Sequence, residues 1–149
     1  MEEYNTLEKV TKLFKDKGCK GKEHIYDVLL QDTRKYSGVV NGMEYPFYGL
    51  AIDFTDEGIG FFHLVQPKFS LRIALEKLAL NKDSYTFYKN EDIESVEVKK
   101  FALLDKKRKE VIIKTTDGKK YYLYQKVEDD LIPYHNENFA KIVAKYENK

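Results

Sequence analysis

The side chains of this chain best suited to chemistry are few and scattered. Lys106, Lys107, Arg108 and Lys109 form a run of four cations, with Lys99, Lys100, Lys119 and Lys120 close by in sequence. Such a surface could meet phosphates, since each lysine near an anionic membrane contributes about 1 kcal/mol. The competing reading is a solubilising turn whose lysines keep strand edges from pairing with other chains. Asp53, Asp56 and Glu57 gather beside Gly58, but without the oxygen-ligand spacing of a calcium loop. A T-D-x-G turn uses Asp56 and Gly58 for backbone reasons alone.

His24, His63 and His135 are the only histidines, and no two stand at the short spacing of a zinc site. His63, on a Phe-rich strand, reads as a partly buried structural residue. Cys19 is the single cysteine, flanked by glycines and lysines. The lysines could lower its pKa and make it reactive, or it is an ordinary loop thiol. There is no G-x-S-x-G, no phosphate-binding glycine loop and no H-E-x-x-H. No catalytic, cofactor-binding or metal-binding residue is therefore predicted, and no cofactor. An enzyme here would need carboxylates that only folding brings together.

The elements that must position these residues follow from periodicity. Tyr4, Leu7, Val10 and Phe14 fall on one face of a helix expected over 2–17, which Gly18 can end in a left-handed cap. That stripe needs a cover, either its own sheet or a partner, a second copy included. KGCKGK at 17–22 reads as a joint. Strands are expected at Ile25–Leu30, Tyr36–Val40, Leu50–Phe54, Ile59–Leu64, Ile93–Leu104, Val111–Thr115 and Tyr121–Tyr124, with a short edge strand Glu44–Tyr48 after Asn41-Gly42. The segment 67–82 fits either a strand or a helix; its run of helix formers favours a helix from Leu71 to Leu80. Ser84–Tyr88 looks extended, and Asp105–Lys109 reads as a charged turn. The apolar parity of the 93–104 strand switches between Val98 and Phe101, which predicts a bulge near Lys99 or Lys100. Asn136 offers an N-cap for a last helix with the stripe Phe139, Ile142, Val143 and Tyr146.

Composition bounds the class. At 149 residues, 42% hydrophobic and 34% charged, the chain suits one domain with a well-solvated surface rather than global disorder. The net charge of +1 hides an asymmetry: residues 99–126 carry ten basic and three acidic groups, residues 24–98 seven basic and twelve acidic. One corner of a single domain would therefore be basic. No apolar run suits a membrane span and the amino terminus lacks the order of a signal peptide, so cytoplasm is the expected location. A near-neutral pI argues against a dedicated nucleic-acid binder, although Tyr121, Tyr122 and Tyr124 could stack on bases.

Three patterns resemble bacterial pleckstrin-homology-like proteins, including the GRAM-like group: LAIDFTDEGIGFF at 50–62, NEDIESVEVKKF at 90–101, and IIKTTDGKKYYLY before the final helix. They are similar to that family's alternating hairpin, its E-D-I-x-S-V strand opening and its closing strands. The resemblance implies an α+β fold: a strongly bent antiparallel sheet or partly open barrel of about seven strands, capped by the C-terminal helix. The domain would span 24–149 with an insertion near 67–82, preceded by a helix and joint at 1–23. The resemblance further implies binding of a lipid headgroup, a peptide or another protein. Lipid-binding members cluster basic residues around the first hairpin, where this chain offers only Arg34 and Lys35. The expected function is a non-enzymatic interaction module for a protein partner. The alternative is weak binding to an anionic lipid surface through Lys99, Lys100, Lys106, Lys107, Arg108, Lys109, Lys119 and Lys120.

Overall fold

The computed structural model describes residues 2–32, 47–65, 78–102, 105–125 and 131–147, and at 101–102 and 105–107 the main chain alone. Helix α1 runs Leu7–Asp16. Thr6 is its N-cap in the extended conformation, and its hydroxyl accepts the Lys9 N–H at 3.2 Å, which is why the helix starts later than the apolar stripe does. Gly18, at φ 67°, follows the helix in the left-handed conformation expected of it.

Among the described residues eight strands follow: β1 (His24–Gln31), β2 (Gly49–Thr55), β3 (Gly58–Val65), β4 (Ala79–Leu80), β5 (Thr86–Lys89), β6 (Ile93–Ala102), β7 (Asp105–Thr115) and β8 (Lys120–Tyr124), and then helix α2 (His135–Tyr146). The fold is α+β. All pairings are antiparallel, in the order β4-β3-β2-β1-β8-β7-β6, with β5 also paired to β3, so the sheet is open rather than a closed barrel. No helix among the described residues is long and apolar enough to cross a membrane.

Two apolar cores lie on opposite faces of β1–β3. Period-2 alternation sends Tyr26, Val28, Ala51 and Phe62 to one face, under Tyr4, Val10 and Phe14 of the amino-terminal segment. It sends Leu29, Ile52, Phe54 and Phe61 to the other, against Val111, Ile113 and Leu123 and under Phe139 and Ile142 of α2. Each fully buried Val, Leu, Ile or Phe side chain among them contributes about 1.5–3 kcal/mol of transfer free energy. Because both faces are covered, every residue of β2 is buried, including Asp53.

Three expectations need correction. Asp105–Lys109 is not a turn: it is the first half of β7, since Ala102 pairs with Asp105 and Lys100 with Lys109. Charge alone does not exclude a strand when one of its faces is free. The helix expected to reach Leu80 does not, because Ala79 and Leu80 pair with Val65 and Leu64 of β3; residues 71–77 lie outside the described residues, as does the hairpin around Asn41-Gly42. The last helix begins at His135, with Tyr134 rather than Asn136 at its N-cap. Its start is located by a tertiary contact, the Tyr134 hydroxyl donating to the Tyr4 carbonyl at 2.6 Å. The bulge in β6 falls between Lys100 and Ala102, close to its expected place, and a second irregularity lies between Ile93 and Ser95.

Candidate functional site

The joint after α1 folds back onto the sheet. Gly18 (φ 67°) and Gly21 (φ 140°) give it conformations that other residues rarely adopt. Cys19 thereby lands over Gly60 of β3, where a Cβ would stand 2.9 Å from its sulfur. The thiol donates to Asp53 Oδ2 at 3.3 Å, and His24 Nδ1 lies 2.6 Å from the same oxygen. His24 Nε2 is 3.0 Å from the Gly21 carbonyl, and the imidazole stacks on Tyr26 with centroids 5.6 Å apart. Sγ, the imidazole nitrogen and the carboxylate oxygen all lie within 4.8 Å of one another.

Electrostatics run against a reactive cysteine. Burial pushes the Cys19 thiol up to about 12, and the Asp53 charge acts in the same direction. The nearby lysines do not lower it, which corrects that expectation. Burial also raises the Asp53 carboxyl above its ordinary value, with the His24 hydrogen bond opposing. The thiol donates to a carboxylate whose own charge opposes a thiolate, and His24 Nδ1 faces that carboxylate oxygen rather than the sulfur, so the imidazole does not activate the cysteine.

A second histidine–aspartate pair holds α2. His135 Nδ1 lies 2.6 Å from Asp27 Oδ1 with both side chains buried, and Asn138 Nδ2 donates to the Tyr26 carbonyl at 2.7 Å. Asp27 shares its sheet face with Leu29 and so meets α2. His63 packs between Phe47 and Phe61, its ring centroid 4.7 and 5.8 Å from theirs, and burial lowers its pKa to about 4. Asp56 accepts the N–H groups of Lys22 and Glu23 at 2.8 and 3.0 Å and so ties the joint to the β2–β3 turn, while within the turn it is the Thr55 hydroxyl that accepts the Glu57 and Gly58 N–H groups.

The cations gathered in sequence are distributed by the sheet. Lys99, Lys100 and Lys114 line one shallow groove of about 430 Å³ on the outer face of β6–β8, together with Glu97, Glu110 and Tyr122. Within it Lys99 pairs with Glu97 at 3.4 Å. Lys109 turns away and reaches Glu147 after α2 at 3.1 Å; Lys119 lies 3.9 Å from Asp117; the Arg108 guanidinium lies over the Tyr124 ring. Lys120 is exposed opposite Lys114, and the side chains of Lys106 and Lys107 lie outside the described residues. Of the amino-terminal stripe, Tyr4, Val10 and Phe14 are buried in the chain's own core, leaving only Leu7, 48% exposed, for a partner.

Sequence reasoning singled out neither the Cys19–His24–Asp53 constellation nor a third feature, at the end of the sheet. Strand β6 has β7 on one side and no described strand on the other. Along it runs a groove of about 380 Å³ lined by Ile59, Ile93, Val96 and Tyr146, with Asn90, Ser95 and Glu97 at its rim. Ile93, Val96 and Tyr146 belong to the α2-side core yet are only half-buried. Compared with known proteins, the chain matches no family model, no curated protein and no solved structure.

Proposed function

We propose that this chain is a non-enzymatic interaction module that takes an extended segment of a protein partner along the outer edge of β6. The observation that carries this reading is the coincidence of an edge strand with an apolar groove beside it. A terminal strand leaves a row of main-chain donors and acceptors for an added strand, and alternate side chains of that strand then enter the adjoining groove. The groove wall of Ile59, Ile93, Val96 and Tyr146 selects apolar residues at every second position of the ligand. An open antiparallel sheet with a C-terminal helix is compatible with the pleckstrin-homology-like resemblance, and peptides are among the ligands that resemblance implies; fold-level analogy adds no more than that.

Selection of unstructured peptides displayed on phage against the purified protein tests the reading. Selected peptides should alternate apolar and polar residues, shift the amide resonances of β6 in NMR spectra, and lose at least about tenfold in affinity to Val96→Glu. Selection that yields no ligand, or ligands whose binding survives both Val96→Glu and Tyr146→Ala, would overturn it.

Lys99, Lys100 and Lys114 on one exposed groove favour a second reading, weak attachment to anionic lipid surfaces. Glu97 and Glu110 in the same groove reduce its net positive charge. Co-sedimentation with phosphatidylserine vesicles at physiological salt decides: binding abolished by Lys99→Glu/Lys114→Glu supports this reading, and no sedimentation removes it.

A further inference from the structure

We propose that Cys19, His24 and Asp53 form a binding site for a divalent transition metal of the zinc class, joining the α1 joint to the sheet. Three observations converge. The donors are of the three kinds that zinc takes from proteins, thiolate, imidazole and carboxylate, and their ligand atoms already lie within 4.8 Å of one another. They come from three places, the joint, the first residue of β1 and the middle of β2, so the tertiary fold rather than a local turn assembles them. The imidazole is also oriented as a ligand. The Gly21 carbonyl can only accept, so the Nε2 facing it at 3.0 Å carries the proton, and Nδ1 is the nitrogen turned to the cluster. A metal-binding histidine characteristically donates its other N–H to such a carbonyl.

Room and charge fit the same ion. Gly60 leaves space for the sulfur, which a Cβ there would approach to 2.9 Å. Asp53 is fully buried while the His24 side chain is 24% exposed, so the centre sits at the edge of the core with one side toward solvent. Tetrahedral bonds of about 2.0–2.3 Å place donors roughly 3.4 Å apart. The Asp53–His24 contact of 2.6 Å therefore opens by under about 1 Å on binding. The metal displaces the thiol proton and any proton shared between Nδ1 and Oδ2, both released to water. A thiolate, a carboxylate and a dication then sum to zero charge, a favourable state for a largely buried centre. Solvent fills the fourth position.

The inference is independent of the peptide groove, which lies on β6. Its test is titration of untagged, metal-free protein with Co(II), followed by displacement with Zn(II). Thiolate-to-cobalt charge-transfer absorption saturating at one equivalent and abolished by zinc is the expected result. Cys19→Ser should abolish that absorption and Asp53→Asn should weaken binding at least tenfold; His24→Gln replaces the latter if it fails to fold. Absence of the charge-transfer absorption in the wild type at excess cobalt would overturn the proposal, as would binding that Cys19→Ser leaves intact. The cluster would then be a hydrogen-bonded latch only.

Discussion

His135→Ala should be among the most destabilising single substitutions in this chain. The Asp27 side chain is fully buried and that of His135 is 1% exposed, with Nδ1 and Oδ1 2.6 Å apart. Removing the imidazole leaves Oδ1 with the Val28 N–H at 2.8 Å, and Oδ2 without a hydrogen-bond partner among the described residues. Breaking one side of a buried pair costs about 3–5 kcal/mol. With a urea m-value of about 2 kcal/mol/M, the midpoint falls by about 1.5–2.5 M, measured by circular dichroism. The variant should also respond to pH. Burial holds Asp27 at about 6 even with the hydrogen bond and charge of His135 pulling down. Without His135 burial acts almost unopposed, so folded Asp27 keeps a proton that the unfolded chain has lost. The folded state then binds more protons, and the stability of the variant falls as pH rises from about 4 to beyond 6. Asp27→Leu/His135→Phe removes both partners and should recover most of the loss. A His135→Ala midpoint within about 0.5 M of wild type, or a double variant no better than the single, would refute the reasoning.

Two further outcomes follow from the same physics. His63 titrates near 4 in the fold against 6.5 ordinarily, because burial between Phe47 and Phe61 disfavours its charged form. The unfolded chain therefore binds more protons in that window, and the His63 contribution, on the order of 2–3 kcal/mol, is complete above about 6.5 and lost as pH falls toward 4. Denaturation midpoints of His63→Gln should show a flatter pH slope over that range; an unchanged slope would exclude the assignment. A Cβ at Gly58 would stand 2.1 Å from the Tyr88 carbonyl and 2.8 Å from the Phe87 ring, so Gly58→Ala must part β5 from β3. We expect a loss of about 2 kcal/mol or more, with faster hydrogen exchange along Thr86–Lys89; wild-type exchange there would contradict the close approach.

What the sequence determined by itself was local. Alternation in 50–54 and 59–64, the left-handed Gly18 after α1, and the stripe of α2 each require only neighbours a few residues apart, and each appears where its spacing places it. Periodicity likewise identified Phe139 and Ile142 as core. It did not settle that β1–β3 are covered on both faces, because a near-continuous apolar run such as Val28–Leu30 fits a strand buried on both sides and a buried helix segment equally. Spacing alone leaves the surroundings of Asp53 and Asp27 open, and the tertiary structure buries both and gives each a histidine. His24 lies 29 residues from Asp53 and His135 108 from Asp27, separations that short-range motif spacing does not sample. Cys19 and His24 stand five apart in sequence, a local signal for a shared site, but their third partner Asp53 is brought in only by the fold. The charge run at 106–109 shows the reverse limit. Composition joined those cations into one surface, while pleating directed Lys109 to Glu147 and left Lys99 and Lys114 together on the outer face. Side-chain direction in a sheet follows register, and the pairing of β6 with β7, not the order of residues along the chain, set that register.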